Sequence, residues 1–113
     1  MHIRERLNGE VAVVSLSGEL LDVRDENVLE QEIISLTADN INKIILDFAR
    51  LNRINSQGLA ALLSAVKRVR RTGGDIRISG LDEHLNNIFA VTRLVRIFDS
   101  YETVGRAIAS FSR

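Results

Sequence analysis

At 113 residues the chain has the size of one domain, and its 45% apolar content suits a single globular core. The 15 basic and 15 acidic residues cancel to a formal charge of zero, which removes any global pull toward nucleic acid or anionic lipid. Cysteine is absent, excluding disulfides, a thiolate nucleophile and cysteine metal sites, and proline is absent too, so glycine, asparagine and aspartate must punctuate the chain.

Met1–Glu10 is charged and lacks the apolar run of a signal peptide. No apolar stretch approaches the ~18 residues a membrane span needs, so the expectation is a cytoplasmic protein without membrane insertion. Ile3 to Leu7 predicts a strand closed by Asn8-Gly9, a strong short hairpin signal. Val11 to Leu16 is a second, largely β-branched strand that stops at Gly18. From Asp22 to Thr37 the period becomes helical. Val28, Leu29, Ile33 and Leu36 share one face, and Glu26, Glu30 and Glu32 are expected on the solvated side.

Lys43 to Phe48 is short and nearly continuous in its apolar part, as in a parallel strand buried on both faces. Leu59, Leu62, Leu63, Val66 and Val69 keep helical spacing until Gly73-Gly74 stops the helix. Ile76 and Ile78 alternate with polar neighbours as a strand, and Leu85, Ile88 and Phe89 mark a shorter helix. Arg96-Ile97-Phe98 is expected to be a last strand, followed by a helical stripe of Tyr101, Val104, Ile108 and Phe111. Alternating strands and helices demand crossover connections. The fold class is therefore α/β, with a mixed sheet of about four or five strands flanked by about four helices, in one domain over 1–113.

Catalytic and metal-binding patterns are missing. His2 lies near the first residue and His84 beside Asp82 and Glu83 at a helix start, and neither belongs to a metal-ligand spacing. Gly73-Gly74 lacks the glycine and lysine of a phosphate loop, and there is no GxSxG elbow. Lys67, Arg68, Arg70 and Arg71 are the one dense basic group, and they end the longest helix, where positive charge complements the dipole. No aromatic residues interleave with them to stack bases. The reading is accordingly no catalytic residue, no metal, no cofactor and no direct nucleic-acid partner.

The informative segment is Asn52 to Leu59, which follows a buried strand and opens the strongest helix. Asn55 or Ser56 can serve as N-cap, and the free N–H groups there also favour an anion such as a phosphate on Ser56. Ile44 to Phe48, then Asn55-Ser56-Gln57-Gly58-Leu59, resembles the strand, Asp-Ser-x-Gly signature and following helix of the STAS family. Gly18-Glu19-Leu20 with Asp22 is similar to that family's Gly-x-Leu-Asp helix start, and Ile97 to Thr103 resembles its closing segment. The resemblance implies an anti-sigma factor antagonist, a binding protein engaged by a serine kinase anti-sigma factor and released when the serine matching Ser56 is phosphorylated, with a phosphatase as a further partner. It places Asp22, Asn55, Ser56, Gln57 and Gly58 in the partner-binding surface. Asn55 stands where the signature usually has aspartate, and Gln57 where a small residue is common. The alternative is a STAS subunit with a structural role on a membrane transporter or lipid-transport complex, indifferent to Ser56. The oligomeric state is left open.

Overall fold

A computed structural model describes residues 1–112. Strands β1 (His2–Asn8) and β2 (Val11–Leu20) pair antiparallel across a tight turn that Gly9 opens at φ +61°, a left-handed conformation a residue without Cβ adopts freely. Helix α1 (Val23–Ala38) leads to β3 (Lys43–Ile54), α2 (Ser56–Arg70), β4 (Asp75–Ser79) and α3 (Glu83–Val91). One 3-10 turn (Leu94–Arg96), β5 (Ser100–Tyr101) and α4 (Val104–Ser110) complete the fold.

The sheet has five strands in the order β1-β2-β3-β4-β5, and every pair after the first is parallel. Each crossover thus advances the chain by one strand. The helices α1, α2 and α3 gather over one sheet face, where Leu29, Ile33, Leu62, Val66, Leu85 and Phe89 join Val14, Leu46 and Ile78 in one buried cluster. Phe89 is its aromatic hub, edge-on to Phe48 at 6.0 Å and tilted against Phe98 at 6.1 Å. On the opposite face α4 alone covers Val11, Val13 and Ile45 through Ala107, Val104 and Ile108. The continuous apolar run of β3 is thereby explained: Ile44 and Leu46 face three helices, while Ile45 faces the fourth.

Three expectations are corrected. Arg96 to Phe98 is not a strand. Leu94 and Phe98, four residues apart, are both buried around a 3-10 turn that Arg93 enters at φ +63°, and the last strand is the two-residue β5 beyond them. Tyr101 belongs to that strand, so the final helix starts at Val104. Val28 and Glu32 exchange their expected environments. Leu29, Ile33 and Leu36 form the buried stripe, Val28 stands 39% exposed, and Glu32, four residues on along the same flank, turns toward β1.

Glu32 Oε1 is buried without a hydrogen-bond partner among the described residues. Burial, and then the Glu5 carboxyl on β1, push the Glu32 carboxyl up to about 7. A raised carboxyl favours folding in its protonated form. Its contribution is full below the ordinary carboxylate range and is lost as pH rises through about 7. Replacing Glu32 with glutamine should therefore raise the melting temperature more at pH 8 than at pH 5, and an equal gain at both would refute the assignment. Leu62, with 0% exposure, anchors α2 to the sheet. Leu62→Ala should cost about 2–5 kcal/mol in urea denaturation, and an unchanged midpoint would remove Leu62 from the core.

Candidate functional site

A single residue, Asn55, turns the chain from β3 into α2. Its backbone is extended, at φ −120° and ψ −175°, and its Oδ1 accepts the Gly58 N–H at 2.9 Å. Asn55 is thus the N-cap. Its Nδ2 donates to the Leu21 carbonyl at 2.8 Å, joining two segments 34 residues apart. The amide is needed for both: one oxygen to accept, one nitrogen to donate. With Gly58 capped and the Leu59 N–H on the Asn55 carbonyl at 2.9 Å, Ser56 and Gln57 carry the remaining orphan amides of the helix start.

Leu21 is also held from its other side. Its N–H donates to Asp25 Oδ2 at 2.9 Å. The Asp25 N–H donates to Asp22 Oδ1 at 3.0 Å and the Asp22 N–H to Asp25 Oδ2 at 3.4 Å, which together make a reciprocal capping box at the start of α1. The Leu21 N–H, followed by the Met1 ammonium 3.0 Å from Oδ1, holds the Asp25 carboxyl below its usual range. The two helix starts are therefore fastened through one backbone residue.

Packing enforces the same proximity. Gly58 is buried, and a Cβ there would run into the Leu20 carbonyl and lie 2.7 Å from Ile54 Cγ1. The first turn of α2 can close on the end of β2 only because residue 58 is glycine. Nearby, Gln57 Nε2 donates to Glu26 Oε2 at 3.0 Å and Arg53 pairs with Glu19 at 3.2 Å, both on the surface.

Four of the five residues singled out from the sequence are exposed and grouped where β2 and β3 end: Asp22, Asn55, Ser56 and Gln57. Gly58 lies beneath them, setting the approach of the backbones. Asp22 caps α1, and Ser56 is the first residue of α2. The first turn of α1 carries Asp25 and Glu26, whereas that of α2 carries no acid, so the positive end of α2 lacks acidic compensation within its own first turn. Leu21 and Asp25 are not singled out in the sequence, and Glu26 is expected there only on a solvated face. The Asp22-x-x-Asp25 spacing is a capping-box signal, but a backbone carbonyl receiving an amide from another helix start leaves no sequence trace.

A groove of about 360 Å³ runs between α1 and α2, bordered by Glu26 and Glu30 on one side and Lys67, Arg68 and Arg71 on the other. Among the described residues no group of three or more His, Cys, Asp or Glu side chains is placed to hold a metal, and no helix is long and apolar enough to cross a membrane. His84 sits exposed in the first turn of α3.

Asn55 provides a direct test of this geometry. Asn55→Ala removes cap and bridge together and should cost about 1–2 kcal/mol in urea denaturation. Asn55→Asp restores the cap but sets a carboxylate oxygen against the Leu21 carbonyl, so its stability should fall between alanine and wild type. An aspartate variant as stable as wild type would show that the Leu21 bond contributes nothing.

The model of the STAS domain matches residues 2–107. The anti-sigma-B factor antagonist of Bacillus subtilis is 28% identical over 86 residues, covering 76% of this chain and 77% of that protein. The crystal structure of an anti-sigma factor antagonist from Mycobacterium paratuberculosis shares the fold with a TM-score of 0.86 at 23% identity, over 99% of this chain and 94% of that one. SpoIIAA, a Bacillus cell fate determinant solved in its phosphorylated form, gives a TM-score of 0.74 at 19% identity, over 97% and 99% of the two chains. Sheet order, helix placement and these matches agree: the chain belongs to the STAS domain family, and its relatives are of the anti-sigma factor antagonist type.

Proposed function

We propose that this chain is an anti-sigma factor antagonist, a cytoplasmic binding protein and not an enzyme. In this reading it engages a serine kinase anti-sigma factor and is released when that kinase phosphorylates Ser56. The observation that carries the reading is the position of Ser56: exposed, first in α2, and next to an N-cap that is bonded to the start of α1. The names of the Bacillus relatives, an anti-sigma-B factor antagonist and a SpoIIAA solved in its phosphorylated form, support the same partner class and chemistry.

A phosphate on Ser56 meets different environments in the free domain and in a complex. In the free domain a phosphate on Ser56 adds about −1.5 to −2 charges beside orphan amides and the positive end of α2, where an anion is stabilised by about 0.3–1 kcal/mol. Folding survives. In a complex the same oxygen lies against a surface shaped for a neutral hydroxyl, and burying an uncompensated charge there costs several kcal/mol. A penalty of about 3 kcal/mol already weakens binding more than 100-fold. Asp22, Asn55 and Gln57 surround Ser56 in the contact surface, and Gly58 holds the two backbones beneath it. A phosphatase that removes the phosphate would restore binding. Asn55 offers a neutral amide to the kinase where the family signature offers a carboxylate.

Titration against the purified kinase-like partner tests the reading. Ser56→Asp should fold with an unchanged circular dichroism spectrum and bind at least about 100-fold more weakly. Ser56→Ala should bind and resist phosphorylation, as read by mass spectrometry after incubation with kinase and ATP. Phosphate found elsewhere on the wild type, or Ser56→Asp binding at full strength, would defeat the proposal.

A further inference from the structure

The sheet face opposite α1 and α2 is only half covered. The seven residues of α4 shield Val11, Val13 and Ile45, but the continuation of the same face, Ser15 and Ser17 on β2 and Asp47 on β3, lies open in a cavity of about 530 Å³. Arginines border it. In the sheet register Arg4 stands opposite Ser15, Arg6 opposite Val13, and Arg50 opposite Ser17. None of the three guanidinium groups has an ion pair or a hydrogen bond among the described residues, although seven ion pairs form elsewhere. The one acid in the cavity, Asp47, spends Oδ1 on the Ala49 N–H and the Ser79 hydroxyl, both at 3.2 Å. In a chain of zero net charge, three arginines here face a single carboxylate, so the local balance is positive.

β1 is also an edge of the sheet, pairing with β2 on one side and with no strand on the other among the described residues. A free edge accepts a further strand, and the new strand copies the two-residue repeat of its neighbour. Arg4 and Arg6 are two positions apart on the same face, about 7 Å along β1. Acidic side chains at alternate positions of an added strand meet both. A second copy of β1 fits poorly in the registers that pair the most residues. Antiparallel self-pairing centred on Arg4, Glu5 or Arg6 places Arg4 against Arg4, Glu5 against Glu5, or Arg6 against Arg6, and like charges directly opposite are destabilising.

We infer that β1 is a docking edge for an extended segment of another protein with aspartate or glutamate at alternate positions, which adds as a sixth strand and sets its acids on Arg4 and Arg6. Arg50, two strands in, reinforces the field from the open face. This surface lies across the sheet from the helices that frame Ser56, so it does not depend on the switch proposed above.

The probe is a fluorescein-labelled peptide of about ten residues alternating glutamate and threonine, compared with one of identical composition whose glutamates form a single block. Binding is read by fluorescence anisotropy and by amide chemical shifts. The alternating peptide should bind, with its largest shifts on His2–Asn8. Arg4→Glu combined with Arg6→Glu should weaken it about tenfold, the loss expected from two exposed ion pairs. Arg50→Glu, which leaves β1 intact, should weaken it by a smaller factor. If the double variant melts below wild type, Arg4→Gln with Arg6→Gln and the Arg50→Glu variant decide in its place. Several results would overturn the inference: equal affinity for the block peptide, shifts centred on Lys67 to Arg71, or tighter binding of anionic vesicles or an oligonucleotide than of the alternating peptide. Absence of binding would do the same, leaving the arginines as guards against edge pairing.

Discussion

The structure turns on a single peptide unit. Leu21 offers its N–H to Asp25 and its carbonyl to Asn55, and through these two bonds the starts of α1 and α2 become one assembly. Asp22, Val23, Asn55 and Ser56 are all exposed at these starts. The polar bridge links the two starts directly, and Ser56, the first residue of α2, sits beside that link. Gly58 supplies the steric half of the same constraint, since any side chain there would force α2 away from the end of β2.

That arrangement separates rigidity from exposure. Asn55 and Asp22 are exposed while one oxygen of each caps its helix and the Asn55 amide nitrogen holds Leu21, so the surface they form is ordered in the free protein. Beneath them lies the dense apolar cluster around Phe48, Phe89 and Leu62. Under the proposed switch, a phosphate on Ser56 would act on this platform rather than unfold it.

Much of this architecture was legible in the amino-acid order because local chemistry and long-range packing agree. Leu59 to Val69 keeps helical spacing and ends at glycines. Ile44 to Leu46 reads as a strand covered on both sides, and it is. Legibility failed where packing departs from periodicity. Ile97 and Phe98 have strand-forming side chains, yet Leu94 and Phe98 plug the core from a tight turn. β3 runs on to Ile54 although Ala49 and Arg50 interrupt its apolar pattern, because continued pairing with β2 through Arg53 and Ile54 holds it extended. At the site, the capping residues could be read from their types, while the Leu21 bridge and the Gln57–Glu26 bond join segments more than 30 residues apart and have no local signature.

The two sheet faces also differ in when they can be covered during synthesis. Helices α1, α2 and α3 each follow the strand they pack against within a few residues, so the large cluster can assemble progressively as the chain emerges. The opposite face waits. Val13 and Ile45, both at 0% exposure in the finished protein, have their cover in α4, which is made after every strand is complete. A sheet assembled without α4 would leave this strip of β-branched side chains in water. Where folding follows synthesis, α4 is therefore the latch on this face, the last cover to reach Val13 and Ile45.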